Sequence, residues 1–363
     1  MSDRILYLVP DLFGPPGGIA RYCQTVCRAL MESDIFFSVL SLRDLATQET
    51  AATVLGTRPY RAFGGSRLAF ILNAFQQTVR MRPMIIMVGH PNFAPLGWLL
   101  ARLTGARVVC FLYGIEVWER LAWHRRWPLS HMDCLIAISH YTAQQAISSN
   151  QLSAGKIRIL YNCLDPQFDQ PLERQVSTSY SLLTVARISQ AERYKGHDYV
   201  IRALPQILQR FPDLIYDVIG DGEGRPMLER LAQQVSAAEA VRFHGRVSDE
   251  ELQQYYAQAS IFIMPSTHEG FGFVFAEAMA YGMPAIGGNL DATPEVIVDG
   301  ETGYCVNPTS VDEIAQAVMR LLGNEDLRLR LGQQAARHVR EKFSFAQFKQ
   351  RLLSHLHEVT PIQ

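Results

Sequence analysis

The chain has 363 residues, with 34 basic and 35 acidic side chains and a formal net charge of −1. Hydrophobic residues make up 48 % and charged residues 19 %, values typical of a soluble globular protein, so a disordered, collagen-like or coiled-coil chain is excluded. The charge balance also disfavours a nucleic-acid binder that works through bulk positive charge. The length predicts about two domains, each large enough to bury its own core.

The sequence contains no recognisable membrane-spanning or metal-binding segment. No run reaches the roughly 18 uninterrupted apolar residues that a membrane-spanning helix needs. The apolar run Ile5–Val9 is followed directly by Pro10 and Asp11, and it predicts a first β-strand instead of a signal peptide. The six cysteines form no CxxC pair and no metal-ligand spacing. We therefore predict a cytoplasmic protein with reduced thiols and no bound metal.

Short apolar runs alternate with helical patterns along the chain, which is typical of an α/β protein with parallel sheets. Runs that are apolar on both faces predict strands covered by helices on both sides. The predicted strands are Ile5–Val9, Phe36–Leu40, Met84–Val88, Arg107–Phe111, Cys134–Ile138 and Arg158–Tyr161 in the first half, and Ser181–Ala186, Leu214–Ile219, Val241–Phe243, Ile261–Met264 and Ala285–Gly287 in the second.

A change of composition between the two halves predicts a domain boundary. Residues 166–180 are rich in Pro, Ser and other polar side chains, which is typical of an interdomain linker. We predict a first domain over residues 1–165 and a second over residues 181–344, both doubly wound and facing a cleft. Residues 345–363 follow as an amphipathic helix. In doubly wound folds, ligands bind at the carboxyl ends of the strands.

Two glycine-rich segments each follow a predicted strand. Residues 14–18 (Gly-Pro-Pro-Gly-Gly) precede a helix and allow backbone N–H groups to approach a phosphate, although an ordinary tight turn explains them equally well. No Gly-Lys-Ser/Thr follows, so a P-loop is excluded. In residues 220–224 (Gly-Asp-Gly-Glu-Gly), the acidic side chains would repel a pyrophosphate. This favours a structural turn and leaves a dinucleotide-dependent dehydrogenase as a competing interpretation.

Two cations lie in the loop after the first strand of the second domain. Arg187 and Lys195 are eight positions apart, and at the carboxyl end of a strand they can converge on one diphosphate. Arg187 suits a bidentate contact, while Lys195 acts as a compact point charge. The alternative is a solvated loop, which is what most charged runs are.

The most informative motif spans residues 268–284, His-Glu-Gly-Phe-Gly-Phe-Val-Phe-Ala-Glu-Ala-Met-Ala-Tyr-Gly-Met-Pro. A predicted strand leads into a glycine-rich turn with Glu269 and then into a helix. The N–H groups near Phe271, Gly272 and Phe273 fall at the helix N-terminus, where the helix dipole favours a phosphate. Glu277, about one turn inside the helix, can accept two hydrogen bonds from a diol such as a ribose, or else it pairs with a core cation.

Glu269 and Glu277 form the E-x7-E motif, and the segment around them resembles the retaining GT-B glycosyltransferases of family 4. The resemblance extends along nearly the whole chain in the order that the family shows. It covers Gly17-Gly18, His90-Pro91-Asn92, Tyr113-Gly114-Ile115-Glu116, Ile138-Ser139, Asn162-Cys163-Leu164-Asp165, Arg187, Lys195-Gly196-His197-Asp198 and Phe243-His244-Gly245-Arg246-Val247.

The resemblance implies a GT-B fold, with two Rossmann-like domains facing a cleft and a last helix, from residue 345, that crosses back to the first domain. The second domain would hold a nucleotide-sugar donor and the first domain an acceptor. The implied donor contacts are Arg187 and Lys195 on the diphosphate, Gly17 and Gly18 closing over it, Phe271, Gly272 and Phe273 at the helix start, Glu269 on the sugar, Glu277 on the ribose, and Arg246 and Val247 facing the base.

Three further residues, His90, Tyr113 and Glu116, fall in the matched motifs of the first domain. His90 and Glu116 are candidates for substrate binding, and Tyr113 joins Glu269, Arg187 and Lys195 as a candidate catalytic residue. One of them departs from the family pattern, because many members have His-Gly-x-Glu where this chain has Tyr113-Gly114-Ile115-Glu116. The family histidine lies near the reacting centre. A tyrosine hydroxyl can still donate a hydrogen bond there, but it is not a cation at neutral pH. The alternative is a tyrosine packed at a strand end.

The implied activity is transfer of a hexose from a GDP- or UDP-linked sugar to a saccharide hydroxyl with retention, without a cofactor or a metal. A glycosidase or a dehydrogenase fits less well, because the carboxylate and glycine spacings differ from theirs. A sugar-nucleotide epimerase of GT-B fold and a non-catalytic sugar-nucleotide binding protein remain as alternatives.

Charge and tryptophan content single out the first domain for the acceptor. Residues 1–165 hold 16 basic and 10 acidic side chains. Residues 118–127 concentrate three of the four tryptophans with three arginines, and Arg80 and Arg82 end another helix in the same half. Such residues suit an anionic membrane interface. The alternative is that the tryptophans are core residues beside a solvated basic face, as most tryptophans are largely buried. We predict a lipid-linked acceptor for polysaccharide synthesis, with peripheral contact at the inner face of the cell membrane.

Overall fold

The computed structural model describes residues 4–14, 17–45, 47–168 and 180–360. The chain divides into two compact units, the first formed by Met1–Asn162 with Ala346–Gln363 and the second by Cys163–Phe345. Most of the predicted linker, residues 169–179, lies outside the described residues, and its first residues, Pro166–Phe168, form a short 3-10 helix.

Unit 1 is built on a parallel sheet of seven strands with the order β3-β2-β1-β4-β5-β6-β7. Its strands are β1 (Arg4–Val9), β2 (Phe36–Ser41), β3 (Tyr60–Ala62), β4 (Ile85–Val88), β5 (Arg107–Leu112), β6 (Cys134–Ala137) and β7 (Ile157–Ile159). Its helices are α1 (Gly18–Met31), α2 (Gln48–Leu55), α3 (Arg67–Met81), α4 (Ala94–Thr104), α5 (Ile115–Trp118), α6 (Trp123–Ser130) and α7 (His140–Asn150).

Unit 2 repeats this plan with six parallel strands in the order β10-β9-β8-β11-β12-β13. Its strands are β8 (Ser181–Val185), β9 (Ile215–Ile219), β10 (Val241–Gly245), β11 (Ile261–Met264), β12 (Ala285–Gly288) and β13 (Gly303–Val306). Its helices are α8 (His197–Leu208), α9 (Arg225–Gln234), α10 (Asp249–Gln258), α11 (Phe273–Ala280), α12 (Val311–Leu322) and α13 (Glu325–Lys342).

All the predicted strands are present, because helices cover both faces of each sheet and the central strands need apolar side chains on both sides. In β11, for example, all four residues are buried. The sequence prediction missed β3 and β13, which lie at sheet edges. Tyr60–Ala62 includes the exposed Arg61, and Gly303–Val306 has half-buried residues at its centre, so neither segment forms a continuous apolar run.

The last helix, α14 (Phe345–Val359), packs on unit 1. Phe348 meets the ring of Tyr22 edge to face, with ring centroids 5.4 Å apart. Two ion pairs hold its polar side, Lys349 with Glu32 at 3.1 Å and Arg158 with Glu358 at 2.7 Å.

Each sheet has one point where the strand order reverses direction, between β1 and β4 in unit 1 and between β8 and β11 in unit 2. Parallel α/β sheets bind ligands in the crevice outside the carboxyl ends of the strands at such a point. The loops that follow these four strands are therefore the places to look for a functional site. None of the helices in the described ranges has both the length and the apolar composition that crossing a membrane requires.

Candidate active site

An ion pair joins the loops that follow β8 and β11, at the point where the strand order of unit 2 reverses. Lys195 Nζ lies 2.5 Å from Glu269 Oε2, and the two side chains are only 17 % and 15 % exposed. Burial opposes a charged lysine, but the carboxylate of Glu269 outweighs it and raises the pKa of Lys195. Lys195 is therefore a fixed cation in a nearly dry position.

The loop that carries Lys195 is fixed against the Glu269 loop by its backbone. Gly196 has φ +80°, and a Cβ at this position would overlap the carbonyl oxygen of Pro265. The N–H of Thr267 donates to the carbonyl of Tyr194 at 2.9 Å. These contacts explain why a glycine follows Lys195, since no side chain fits between the two loops at this point.

Tyr194 lies next to Lys195 in this loop and within electrostatic range of the other charged residues of the site. Lys195 Nζ lies 5.4 Å from the centroid of its ring. Burial raises the pKa of the Tyr194 hydroxyl, which also lies in the field of four charged neighbours: Lys195, Glu192, Glu269 and Arg187. The two predicted diphosphate-binding cations thus belong to one cluster.

Arg187 pairs with Glu192 of the same loop. The guanidinium side chain is 71 % exposed, whereas Glu192 is 15 % exposed and its second carboxylate oxygen is buried with no hydrogen-bond partner among the described residues. Arg187 is therefore held by an internal carboxylate but remains accessible to an anion from solvent.

The Gly220–Gly224 segment is a structural turn that supports Arg187. Gly220 has φ +125° and Gly222 has φ +155°, and a Cβ at either position would overlap the carbonyl oxygens of Ala186 and Ile188 respectively. The segment packs directly on the main chain around Arg187, which accounts for its glycines without a dinucleotide.

The turn before α11 places the E-x7-E segment. Gly272 adopts φ +85°, and a Cβ there would lie 2.5 Å from the ring of Phe275 and 3.2 Å from Cγ of Glu269. Phe271 is buried against Phe343, with centroids 5.1 Å apart, while Phe273 begins the helix. The N-cap residue of α11 is Gly272, which has no side chain, and the positive end of the helix dipole lies at the same edge of the sheet as Glu269.

Asp291, which the sequence analysis did not select, anchors Glu269. Its buried carboxylate accepts from the N–H of Glu269 at 2.7 Å and from the N–H of Thr293 at 2.9 Å. The N–H of Ala292 donates back to the carbonyl of Glu269 at 3.1 Å. Burial raises the pKa of Asp291 to about 6, although the N–H donors act against this rise. The available signal was the run Asp291-Ala292-Thr293-Pro294 shortly after the glycines of β12, because an Asp a few residues before a proline is typical of a turn.

Glu277 is buried on α11, and its carboxylate accepts from the hydroxyl of Tyr256 at 3.0 Å. Burial and this hydrogen bond therefore fix the orientation of the Glu277 side chain. Arg246 and Val247 follow β10 at the same edge of the sheet, where Arg246 is exposed and Val247 half-buried. The carbonyl of the preceding Gly245 accepts from the N–H of Gly220 at 2.8 Å, which ties this segment to the turn after β9.

In unit 1, Gly17 and Gly18 are exposed at the start of α1, immediately after the β1 loop. Pro15 and Pro16 of the predicted motif lie outside the described residues. Hydrogen bonds to Asp44 hold the loop after β1, and the sequence patterns did not identify this residue. Its buried carboxylate accepts from the N–H of Leu12 at 2.7 Å and from the hydroxyl of Tyr60 at 2.8 Å.

His90 follows β4, the other strand beside the reversal point of unit 1. Its Nδ1 accepts from the N–H of Asn92 at 3.1 Å. This hydrogen bond caps the short 3-10 helix Pro91–Phe93. Burial, with added repulsion from Arg43 and Arg125, lowers the pKa of His90 to about 4. The imidazole is therefore neutral at physiological pH, with Nε2 as its proton-bearing nitrogen.

Tyr113 and Glu116 face the interior of unit 1. The Tyr113 hydroxyl lies 3.6 Å from Sγ of Cys23, and its ring packs edge to face on Tyr22 with centroids 5.3 Å apart. Glu116 accepts from the N–H of Tyr113 at 2.5 Å and from that of Gly114 at 3.1 Å. Burial raises the pKa of both side chains. The two residues thus shape the loop after β5.

The structure therefore brings together Arg187, Lys195 and Glu269, with Glu277 and the N-terminus of α11 on the neighbouring element. It groups Gly17, Gly18 and His90 at the reversal point of the other sheet. Tyr113 is directed into the core of unit 1, whereas Glu116 is half-buried and accepts from the backbone of the loop after β5.

Comparison with known proteins gives the family of both units. Residues 170–338 match the family model described as Glycosyl transferases group 1. Residues 16–168 match the model described as Glycosyltransferase Family 4. The two matches together cover nearly the whole chain and divide it where the two units meet in sequence.

Two curated relatives carry the same description, GDP-mannose-dependent alpha-(1-6)-phosphatidylinositol monomannoside mannosyltransferase. The protein of Mycolicibacterium smegmatis is 34 % identical over 250 residues, which are 64 % of this chain and 65 % of the relative, slightly under two thirds of its length. The protein of Mycobacterium tuberculosis is 33 % identical over 279 residues, which are 70 % of this chain and 72 % of the relative.

Among solved structures, Anabaena HepE in complex with UDP and glucose has a TM-score of 0.79 at 18 % sequence identity. The likeness covers 97 % of this chain and 98 % of that one. At this identity it shows the fold alone. Together with the family matches, it confirms the predicted GT-B type of fold, with two Rossmann-like domains.

Proposed function

The chain belongs to the glycosyltransferases of group 1 and family 4, and from this membership we propose that it transfers a hexosyl group from a GDP- or UDP-linked sugar to a saccharide hydroxyl with retention. The acceptor in this proposal is lipid-linked and serves the synthesis of an exopolysaccharide, capsule or lipopolysaccharide. The names of the mycobacterial relatives support a nucleotide-linked hexose and a lipid acceptor, and the choice of pathway rests on family analogy.

The observation that carries the proposal is the buried ion pair between Lys195 and Glu269 at the β8–β11 reversal point, beside Arg187. A diphosphate needs cations and a sugar needs hydrogen-bond acceptors. This pair supplies one of each within 2.5 Å, as the junction between a phosphate and a glycosyl carbon requires. Arg187 adds a second, accessible cation, and a diphosphate can replace Glu192 as its ion-pair partner.

The chemistry that we assign to these residues is stabilisation of a leaving phosphate. The bond between the sugar C1 and the β-phosphate oxygen breaks, and its electron pair stays on that oxygen. The acceptor hydroxyl oxygen forms the new bond to C1, and its proton passes to the departing phosphate. Lys195 and Arg187 stabilise the growing charge more in the transition state than in the ground state. No separate base is needed in this scheme.

We assign the remaining donor contacts from the family resemblance of each residue's motif. Glu269 accepts hydrogen bonds from hydroxyls of the transferred sugar, and Glu277, oriented by Tyr256, accepts from the ribose diol. The N-terminus of α11 at Gly272 and Phe273, behind Phe271, faces the phosphates. Gly17 and Gly18 supply backbone N–H groups from the start of α1. Arg246 and Val247 border the base.

Two further assignments complete the proposal. His90 offers a neutral N–H at the acceptor side, since its pKa is about 4. Tyr113 and Glu116 position the loop after β5 and do not react, because the Tyr113 hydroxyl is directed to Cys23. We also propose that no metal or other cofactor takes part, since Lys195 and Arg187 supply the positive charge. Undiminished transfer in excess EDTA is the expected result.

A thermal-shift panel of UDP- and GDP-linked sugars tests the donor. A ligand at 100 times its Kd stabilises the native state by about 2.7 kcal/mol, which is several degrees in Tm. The cognate donor should raise Tm, and the Lys195→Met variant should lose that rise. If no nucleotide sugar raises Tm above the value with the free nucleotide, the donor assignment is wrong.

Turnover of the cognate donor then separates the alternatives. A transferase consumes the donor only with an acceptor, apart from slow hydrolysis, and forms a glycoside. An epimerase changes the sugar configuration without any acceptor. A binding protein does neither. Epimerised donor in an acceptor-free reaction would replace the proposal with the epimerase, and NMR of the anomeric proton in the product checks retention.

A further inference from the structure

Helix α3 of unit 1 is apolar on the side that points to solvent. Leu68, Leu72 and Val79 are 69 %, 59 % and 64 % exposed, and Ile71 is exposed beside them. Their spacing places them along one side of the helix, while Phe70 on the opposite side is buried against the sheet. A helix on a sheet normally turns a polar side to water, so this second apolar side requires an explanation.

Helices α4 and α6 extend the exposed apolar side of α3. The three helices pack side by side on one face of the sheet, and their inner side chains share one core. Trp98 of α4 and Trp127 of α6 meet edge to face, with centroids 4.8 Å apart. The outer side chains include Leu99 and Leu103 of α4 and Trp123 of α6, all exposed. We call this outer surface the α3–α4–α6 face.

The α3–α4–α6 face carries only positive charge. Between Glu49 and Glu116 the chain has seven arginines and neither Asp nor Glu. Within the part of the chain that the structure describes, Arg67 and Arg80 at the two ends of α3 form no ion pair. The helices themselves contain Arg67, Arg80, Arg102, Arg125 and Arg126.

The structure also divides the tryptophan-rich segment that the sequence analysis associated with membranes. Trp118 is half-buried, and its indole N–H donates to the Thr142 hydroxyl at 3.3 Å. Trp123 and Trp127 are exposed at 71 % and 43 %. The exposed tryptophans of that segment are therefore the two on α6, which belong to the same face as the exposed apolar side chains of α3.

We propose that the α3–α4–α6 face docks on an anionic lipid bilayer, with its apolar side chains in the headgroup region and its arginines on the lipid phosphates. A bilayer surface satisfies both properties of the face, because it offers apolar depth and negative charge together. A second copy of the chain fits less well, since two faces with arginines and no carboxylates repel each other.

The position of the α3–α4–α6 face relative to the sheet indicates how docking would bring a lipid-linked acceptor to the site. The N-terminal end of α3, with Leu68, follows the carboxyl end of β3, the edge of the sheet that also carries Gly18 and His90. A lipid held in the bilayer would therefore present its head group to that edge. This step rests on the proposed function, in which the acceptor saccharide is linked to a lipid.

Co-sedimentation with vesicles tests the docking in the absence of any donor. The probe is vesicles of 30 % phosphatidylglycerol in phosphatidylcholine, compared with pure phosphatidylcholine, at low salt and at 0.5 M NaCl. We expect binding to the anionic vesicles that weakens with salt. Leu72→Gln with Val79→Gln should reduce the partition coefficient by about tenfold or more, and Arg67→Gln with Arg80→Gln by about fivefold per arginine.

Matched controls lie in unit 2, where Leu290 and Leu329 are also exposed. The same change to glutamine at these two positions should leave vesicle binding unchanged, and circular dichroism should show that every variant is folded. Failure of the wild type to bind anionic vesicles would overturn the proposal. So would equal binding by the α3 variant, or light scattering that shows a dimer which this variant dissociates.

The outcome is independent of the donor assignment. Vesicle binding is measured without nucleotide, and the donor is tested by thermal shift in the absence of lipid. If a nucleotide sugar stabilises the protein but the vesicles do not bind, only the docking is wrong. If the vesicles bind through α3 but no nucleotide sugar stabilises the protein, the donor assignment is wrong and the docking stands.

Discussion

Lys195 Nζ and Glu269 Oε2 lie 2.5 Å apart, although their residues are separated by 73 others in the chain. The pair connects the loops after β8 and β11, the two strands between which the strand order of unit 2 reverses. Removing one member leaves the other charged in a nearly dry position. Because a second substitution can remove the unpaired charge without restoring the catalytic cation, the contribution of the pair to stability can be separated from its contribution to catalysis.

Lys195→Met is expected to lower the free energy of unfolding by about 3 kcal/mol, because it leaves the Glu269 carboxylate buried without its cation. Adding Glu269→Gln should restore most of that loss, since the partner charge is gone as well. Neither variant should regain transfer, and Lys195→Met should lose about 100-fold or more in rate. Urea denaturation and the initial rate with the cognate donor measure the two effects.

Arg193→Ala is the matched control for these substitutions. Arg193 lies in the same loop, but its side chain is 60 % exposed and pairs with Asp198 at 3.6 Å, outside the proposed donor contacts. It should retain its rate within about twofold. A rate for Lys195→Met close to that of Arg193→Ala would remove Lys195 from the catalytic residues.

Glu192→Gln is expected to tighten donor binding. Glu192 pairs with Arg187, so an incoming diphosphate must displace a carboxylate before it contacts the guanidinium. Because Arg187 is mostly exposed, the pair contributes at most about 1 kcal/mol, and removing it should lower the donor Kd by about two- to fivefold. Isothermal titration with the cognate donor measures the change.

Two comparisons show whether the effect acts through Arg187. Glu223→Gln removes another carboxylate that touches the same loop, where Glu223 accepts from the N–H of Gln190 at 2.9 Å, and it should leave the Kd unchanged. In an Arg187→Ala background, Glu192→Gln should give no gain, as a double-mutant cycle requires for a pairwise effect. Weaker donor binding by Glu192→Gln would show that Glu192 orients Arg187 instead of competing for it.

The sequence was sufficient for the type of fold, because strand alternation is a local pattern, and it selected Lys195 and Glu269, which the structure brings into contact. It was insufficient for contacts made between loops. The hydrogen bond from the N–H of Glu269 to Asp291 depends on the pairing of β11 with β12, which no local sequence pattern predicts. For Tyr113 the motif likewise gives a position, whereas the direction of its hydroxyl toward Cys23 depends on contacts with α1 that are distant in sequence.

Gly272→Ala is expected to destabilise the protein by roughly 1–3 kcal/mol, because the residue has φ +85° and its new Cβ would meet the ring of Phe275 at 2.5 Å. Gly282→Ala is the control, with a similar φ of +74° but open space to 3.8 Å, and it should cost only the backbone term of about 1 kcal/mol. Gly272→Ala should also weaken the donor-induced rise in Tm, since it displaces Glu269. Equal effects of the two substitutions would show that the Phe275 contact relaxes freely.

His197 makes the stability of unit 2 depend on pH. Burial, with repulsion from Lys195, lowers the pKa of His197 to about 4, against about 6.5 in the unfolded chain. Between these values the unfolded state binds a proton that the native state does not, so stability rises with pH over this window and falls on acidification. The loss of stability between pH 6.5 and pH 4 is about 3 kcal/mol for this residue.

Chemical denaturation at pH 7 and pH 5 should show a smaller pH dependence of the free energy of unfolding for His197→Asn than for the wild type. The exposed His124, changed to Asn, serves as the control and should leave the pH dependence unchanged. An identical pH dependence in the wild type and in His197→Asn would mean that His197 has the same pKa in the native and the unfolded state, which would contradict the prediction.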